Sequence, residues 1–121
     1  MSKNFVQVAQ DVRSGSRELR EAAPEVMKAF AALAQAATAA GALDTKTKEL
    51  IALALGIAGR CDGCIAHHTR VAVQLGATRL EIAETVSVAV YMGGGPASIY
   101  GAEALRAYDQ LAAQAGAPAR T

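Results

Sequence analysis

Alanine runs through almost every stretch of this 121-residue chain, with few large apolar side chains between the small ones. Hydrophobic residues reach 52% while aromatics are only 4%, a mixture that suits close-packed helices better than sheets. Alanine is the strongest helix former. Nowhere do Val, Ile and Thr alternate with polar residues over the length of a convincing strand. The expected fold class is all-α: one helical bundle of about six helices, a single domain spanning residues 1–121.

Helix punctuation divides the chain. A first helix is expected from about Asn4 to Arg13, interrupted near Ser14-Gly15-Ser16 and resumed to Ala22. Pro24 suits the first turn of a helix reaching Ala40, with Gly41 as its C-terminal cap. Asp44 can cap a helix over Thr45–Ala58 that Gly59 ends. A fourth helix should start at Cys61 or Asp62 and stop at Leu75-Gly76. Thr78-Arg-Leu-Glu81 has capping-box spacing and opens a fifth, to about Met92. Gly93-Gly94-Gly95-Pro96 breaks the chain before a last helix to about Gln114, and residues 116–121 are expected to form a flexible tail. The glycine run follows no strand and no Lys-Ser/Thr comes after it, so it reads as a tight turn and not a phosphate cradle.

Two segments, Leu50–Ala58 and Val86–Met92, are apolar almost all round and call for cover on every side. A chain of this size can wrap about one of them, so a homo-oligomer is expected. Net charge is +1 with no concentration of Lys or Arg, which argues against a nucleic-acid partner. The longest apolar run is far short of the roughly 20 residues of a membrane span. Met1–Arg20 lacks the apolar core and cleavage pattern of a secretory signal. A cytoplasmic protein with no membrane partner is the expectation. In a reducing compartment a Cys-x-x-Cys pair is more often catalytic or metal-binding than a permanent staple.

The chemistry concentrates in residues 49–68. Cys61 and Cys64, His67 and His68 are the only cysteines and histidines, and all four fall within eight positions. On a helix, Cys61, Cys64 and His68 share a face. Interior helix positions three apart hold their Cβ atoms about 5–6 Å apart, whereas a disulfide needs roughly 3.5–4.5 Å. The pair can therefore close only if Cys61 lies at the helix boundary, with Gly59 and Gly63 supplying local freedom. The positive end of the helix favours a sulfur anion there by ~0.3–1 kcal/mol. That is too little alone, and His68, one turn beyond Cys64, supplies a base or an imidazolium beside the thiolate. Glu49 lies on a stripe with Ala52, Leu53 and Gly56, and a carboxylate on such a face needs a partner. The simplest partner is the Cys–His cluster on the next helix; the alternative is a solvated residue complementing the dipole of its own helix. His67 points about 100° away from His68 and reads as a surface, interface or accessory residue.

The pattern Glu49-x11-Cys61-x2-Cys64-x3-His68, followed by Leu75-Gly76-Ala77-Thr78, resembles the alkylhydroperoxidase D-like branch of the carboxymuconolactone decarboxylase family. A weaker likeness extends through Glu81, Ile82 and Gly93–Pro96 to Gly101, and residues 1–40 add no specific motif. The resemblance implies an all-helical, alkylhydroperoxidase D-like fold assembled as a trimer or hexamer. It implies a peroxidase or disulfide reductase with a redox-active disulfide and no bound cofactor. Cys64 would be the attacking sulfur, Cys61 the proton donor that resolves it, and Glu49 with His68 the proton relay. The implied partners are a peroxide or disulfide substrate and either a peroxiredoxin or a lipoyl-protein or other dithiol electron donor. The best-studied branch carries a histidine immediately before the second cysteine; here that position is Gly63.

Other readings of the same residues are a zinc site of Cys61, Cys64, His68 and Glu49, acid–base chemistry of the lactone decarboxylase type, and a helical assembly module whose cysteines are small core residues. The absence of a second ligand knuckle weighs against zinc. The name-giving decarboxylases of the family generally lack the cysteine pair.

Overall fold

Six helices follow one another in the computed structural model, which describes residues 2–116: α1 (Phe5–Ala22), α2 (Pro24–Thr38), α3 (Thr45–Ala58), α4 (Asp62–Gln74), α5 (Arg79–Gly93) and α6 (Gly95–Gln114). The all-α expectation holds, with no strand among the described residues. The expected tail falls outside them beyond Gly116.

Most helix ends obey the side chains that mark them. Asp44 accepts a hydrogen bond from the Thr47 backbone N–H at the start of α3. Thr78 and Glu81 close both arms of a capping box at the start of α5. Two boundaries differ from expectation. The first helix does not break at Ser14-Gly15-Ser16 but runs unbroken from Asn4, whose side chain caps it, to Ala22. An interior glycine costs only about 1 kcal/mol relative to alanine, and Gly15 sits on the open side of α1, where it meets nothing. The buried residues of α1 are Phe5 and Ala9. The second helix stops at Thr38, short of Ala40, and Gly41 is not its cap. Side chains of α3 end it instead: Thr45 Oγ1 donates to the Thr38 carbonyl at 2.9 Å and Lys48 Nζ to that of Ala39 at 2.6 Å.

The core is built from Phe5, Leu53, Ile57, Ile65 and Ile82, with alanines filling the space between helices. Small residues allow the closest approaches; a Cβ on Gly101 of α6 would stand 2.5 Å from Val86 Cγ1 of α5. At the N-terminus, Lys3 reaches the nearly buried Glu103 at 2.7 Å and Asp62, the first residue of α4, at 3.0 Å. This bridge joins the chain entering α1 to α4 and α6.

Helices α2, α3 and α5 each show several apolar side chains to the outside of the single chain. Leu53 and Ile57 of α3 are buried, whereas Ile51 and Leu55 are exposed; on α5, Ala89 is buried while Val88, Tyr91 and Met92 are exposed. Helix α2 buries nothing fully, and its Val26, Phe30 and Leu33 are each more than half exposed. No helix among the described residues is long and apolar enough to cross a membrane.

Candidate active site

The turn between α3 and α4 fixes the position of the cysteine pair. Beyond the C-cap Gly59, the Arg60 N–H donates to the Ile57 carbonyl at 3.1 Å and the Cys61 N–H to that of Gly56 at 3.0 Å. These two bonds satisfy the last carbonyls of α3 in the manner of a Schellman motif. The left-handed residue of the motif is Arg60, at φ 56°, and not Gly59, at φ −81°. The equivalent turn after α4 uses Gly76 at φ 82°. A non-glycine residue pays roughly 1–2 kcal/mol for that conformation. The local freedom expected of Gly59 is therefore supplied by a strained arginine immediately before the first cysteine.

Cys61 is the N-cap of α4, with extended backbone, and Cys64 lies in the first turn, as the spacing requires. The two are joined in a disulfide across a Cα–Cα distance of 5.2 Å. The Cys64 backbone N–H donates to Cys61 Sγ at 3.1 Å. The helix terminus thus acts on the sulfur of Cys61, while His68, one turn beyond Cys64, lines the same cleft as both cysteines. Gly56 does two things at this junction. Its carbonyl holds the Cys61 N–H, and the space of its missing side chain admits Cys64, whose Cβ would be 2.9 Å from a Cβ at position 56. Gly63 faces α1, where an added Cβ would meet Val12 Cγ2 at 3.0 Å. Any side chain at this position, including the histidine that the resemblance places there, would press on the Val12 methyl.

Glu49 is buried on α3, at 6% exposure, and its Oε2 lies 2.6 Å from His68 Nδ1. The solvated alternative for Glu49 is excluded by that burial and that partner. A carboxylate only accepts, so Nδ1–H donates to it, leaving Nε2 as the ring nitrogen that exchanges protons. His67 packs edge-to-face on His68, with ring centroids 4.8 Å apart. Burial, the neighbouring His68 and the guanidinium of Arg70 hold its pKa below the ordinary 6.5, so it is mainly neutral near pH 7.

Cys61, Cys64, His67 and His68 all line one cleft of about 470 Å³. Its other walls come from α1 and α2, including Val12, Arg20, Met27, Phe30 and Ala34. These residues carry no motif. The signal that could have found them is the apolar stripe Met27, Phe30, Ala31 and Ala34, at helical spacing on a helix too exposed to need it for the core.

Both cysteines are only partly buried and border the cleft, unlike small core residues. Among the described residues no group of three or more His, Cys, Asp or Glu side chains is arranged to hold a metal ion.

The sequence profile of the carboxymuconolactone decarboxylase family matches residues 24–107. A protein of Cupriavidus necator, of unassigned function, is 42% identical over 93 residues, which cover 77% of this chain and 82% of the relative. A second relative, encoded in the cox locus of Paracoccus denitrificans, is 37% identical over 94 residues, covering 78% of this chain and 85% of its own. The apo crystal structure of a carboxymuconolactone decarboxylase family protein from Legionella pneumophila superposes with a TM-score of 0.87 at 50% identity, covering 91% of this chain and 98% of that one. A family protein from Thermotoga maritima, for which an involvement in the antioxidative response has been suggested, superposes at 0.76 with 32% identity, covering 89% and 97%. Sequence and fold agree across both comparisons: this chain belongs to the carboxymuconolactone decarboxylase family.

Proposed function

We propose that the protein is a thiol–disulfide oxidoreductase that reduces peroxides, or the disulfide of a partner, by cycling Cys61 and Cys64 between dithiol and disulfide. The observation that carries this reading is a closed Cys61–Cys64 disulfide lining the same cleft as His68, whose ring is oriented by the buried Glu49. The antioxidative role suggested for the Thermotoga maritima relative supports it.

In the oxidative half-cycle the Cys64 thiolate attacks a peroxide oxygen. The O–O bond breaks, the alcohol leaves with a proton from the His68 imidazolium, and Cys64 becomes a sulfenic acid. Cys61 then attacks that sulfur, and its thiol proton, carried by His68, leaves with the hydroxyl as water. Two thiols are oxidised to one disulfide and one peroxide is reduced to alcohol and water. In the reductive half-cycle an external dithiol, such as a dihydrolipoyl group, attacks Cys64 Sγ. Cys61 leaves as a thiolate, and the Cys64 N–H at 3.1 Å stabilises that charge, which favours Cys61 as the departing sulfur. The second thiol of the donor attacks the mixed disulfide, closes the donor's own disulfide and releases the Cys64 thiolate.

The exposed apolar residues of α2, α3 and α5 support a homo-oligomer, and the family resemblance implies a trimer or hexamer. Peroxide consumption measured with a panel of dithiol donors, lipoyl carriers included, tests the function. Turnover that vanishes with Cys64→Ser is expected. Activity on a small carboxylate lactone that survives replacement of both cysteines by serine would instead establish the decarboxylase reading.

A further inference from the structure

A second cavity, of about 120 Å³, lies between α1, α4 and α6 and is separate in its lining from the disulfide cleft. Two guanidinium groups line it, Arg13 from α1 and Arg70 from α4, together with the amides of Gln10, Gln74 and Gln114. No acidic side chain lines it, and the remaining walls are aliphatic. Arg70 Nε is buried without a hydrogen-bond partner. Such a donor costs about 1–3 kcal/mol if left unsatisfied, more when charged, and arginine cannot shed its charge to avoid the cost.

We propose that this cavity binds a small dianionic oxyanion of the phosphate or sulfate class, held by Arg13 and Arg70. Two guanidiniums share one small space with no carboxylate between them, and an oxyanion can accept charge-assisted hydrogen bonds from both. The glutamines add N–H donors without adding charge. One water needs only about 10–15 Å³ of probe-occupied space, so the cavity has room for a tetrahedral oxyanion. Both guanidiniums also act on His67, lowering its proton affinity alongside burial and the adjacent His68, while Glu49 acts in the opposite sense. An anion between the arginines would screen them, so the site communicates electrostatically with a residue of the disulfide cleft.

Calorimetric titration of the full-length protein with inorganic phosphate tests this independently of any redox activity. One phosphate per chain is expected, weakened by sodium chloride, with acetate binding at least about tenfold more weakly because it carries half the charge. Arg13→Gln and Arg70→Gln should each weaken phosphate binding by tenfold or more, roughly the loss of one charge-assisted bond. Arg17→Gln, an exposed arginine of α1 outside the cavity, should leave binding unchanged. Arg70→Lys keeps the charge and guards against a folding defect; it should bind more weakly than wild type but more tightly than Arg70→Gln. In NMR titrations phosphate should raise the pKa of His67 in the wild type and not in Arg13→Gln. Absence of phosphate and sulfate binding, equal binding of acetate, or an equal loss in Arg17→Gln overturns the proposal.

Discussion

Glu49 Oε2 and His68 Nδ1 stand 2.6 Å apart, and this contact joins α3 to α4 one turn beyond the disulfide. The carboxylate is nearly buried while the imidazole remains a quarter exposed at the cleft, so the pair has a closed end and an open one. That asymmetry suits a proton relay. Glu49 fixes the tautomer from inside, and in the cycle proposed above Nε2 is the nitrogen that exchanges protons with the reacting sulfur.

Replacing Glu49 by Gln keeps a hydrogen-bonding side chain but removes the charge that orients and stabilises the imidazolium. Peroxide turnover should fall about 10–100-fold, the lower part of the range for acid–base groups, while unfolding free energy changes by about 1 kcal/mol. His68→Ala should move the onset of Cys64 alkylation to higher pH. An unchanged alkylation profile would remove His68 from the mechanism, and a loss of stability without loss of rate would make Glu49 purely structural.

The two cysteines should behave unequally once separated. Cys64→Ser is expected to abolish turnover and leave the helical fold intact. Cys61→Ser should let a sulfenic acid or mixed disulfide accumulate on Cys64, visible by mass spectrometry after peroxide. The reverse accumulation, on Cys61 in Cys64→Ser, would exchange the assigned roles.

Gly56→Ala introduces a Cβ at 2.9 Å from Cys64 Cβ, where backbone on both sides leaves little room to give. Overpacking of this kind costs about 1–3 kcal/mol. Chemical denaturation should register that loss, and the disulfide should become easier to reduce as α3 and α4 separate. A neutral substitution would show that the α3–α4 junction is softer than its geometry implies.

His67 makes stability depend on pH. Its folded pKa lies below the ordinary 6.5, chiefly through burial, so the unfolded chain binds more protons in this range. The contribution is present above the unfolded pKa and is lost as pH falls through the folded one. Wild-type unfolding free energy should therefore decline between about pH 7.5 and pH 5, and His67→Gln should flatten that slope. A slope that His67→Gln does not change would assign it to other groups.

Much of the site was legible along the chain because its signals are local. The N-cap role of Cys61 follows from the reach a disulfide needs, the α5 capping box from four consecutive residues, and the partner of Glu49 from the cost of a carboxylate on an apolar stripe. Helix ends failed where the deciding groups were remote. Thr45 and Lys48 of α3 take the carbonyls that end α2, so no nearby cap marks Thr38.

By itself the sequence determined the all-helical class and the four chemical residues at the α3–α4 junction, since helix propensity, capping and ligand spacing act over a few positions. Only the tertiary structure decided that Arg60, not Gly59, turns the chain, that Gly56 seats Cys64, and that α1 and α2 wall the cleft. The same holds for the arginine-lined cavity, whose residues come from three helices. Those are choices of packing: they depend on which surfaces meet and how closely, and distances between remote segments leave no periodic trace in the residues themselves.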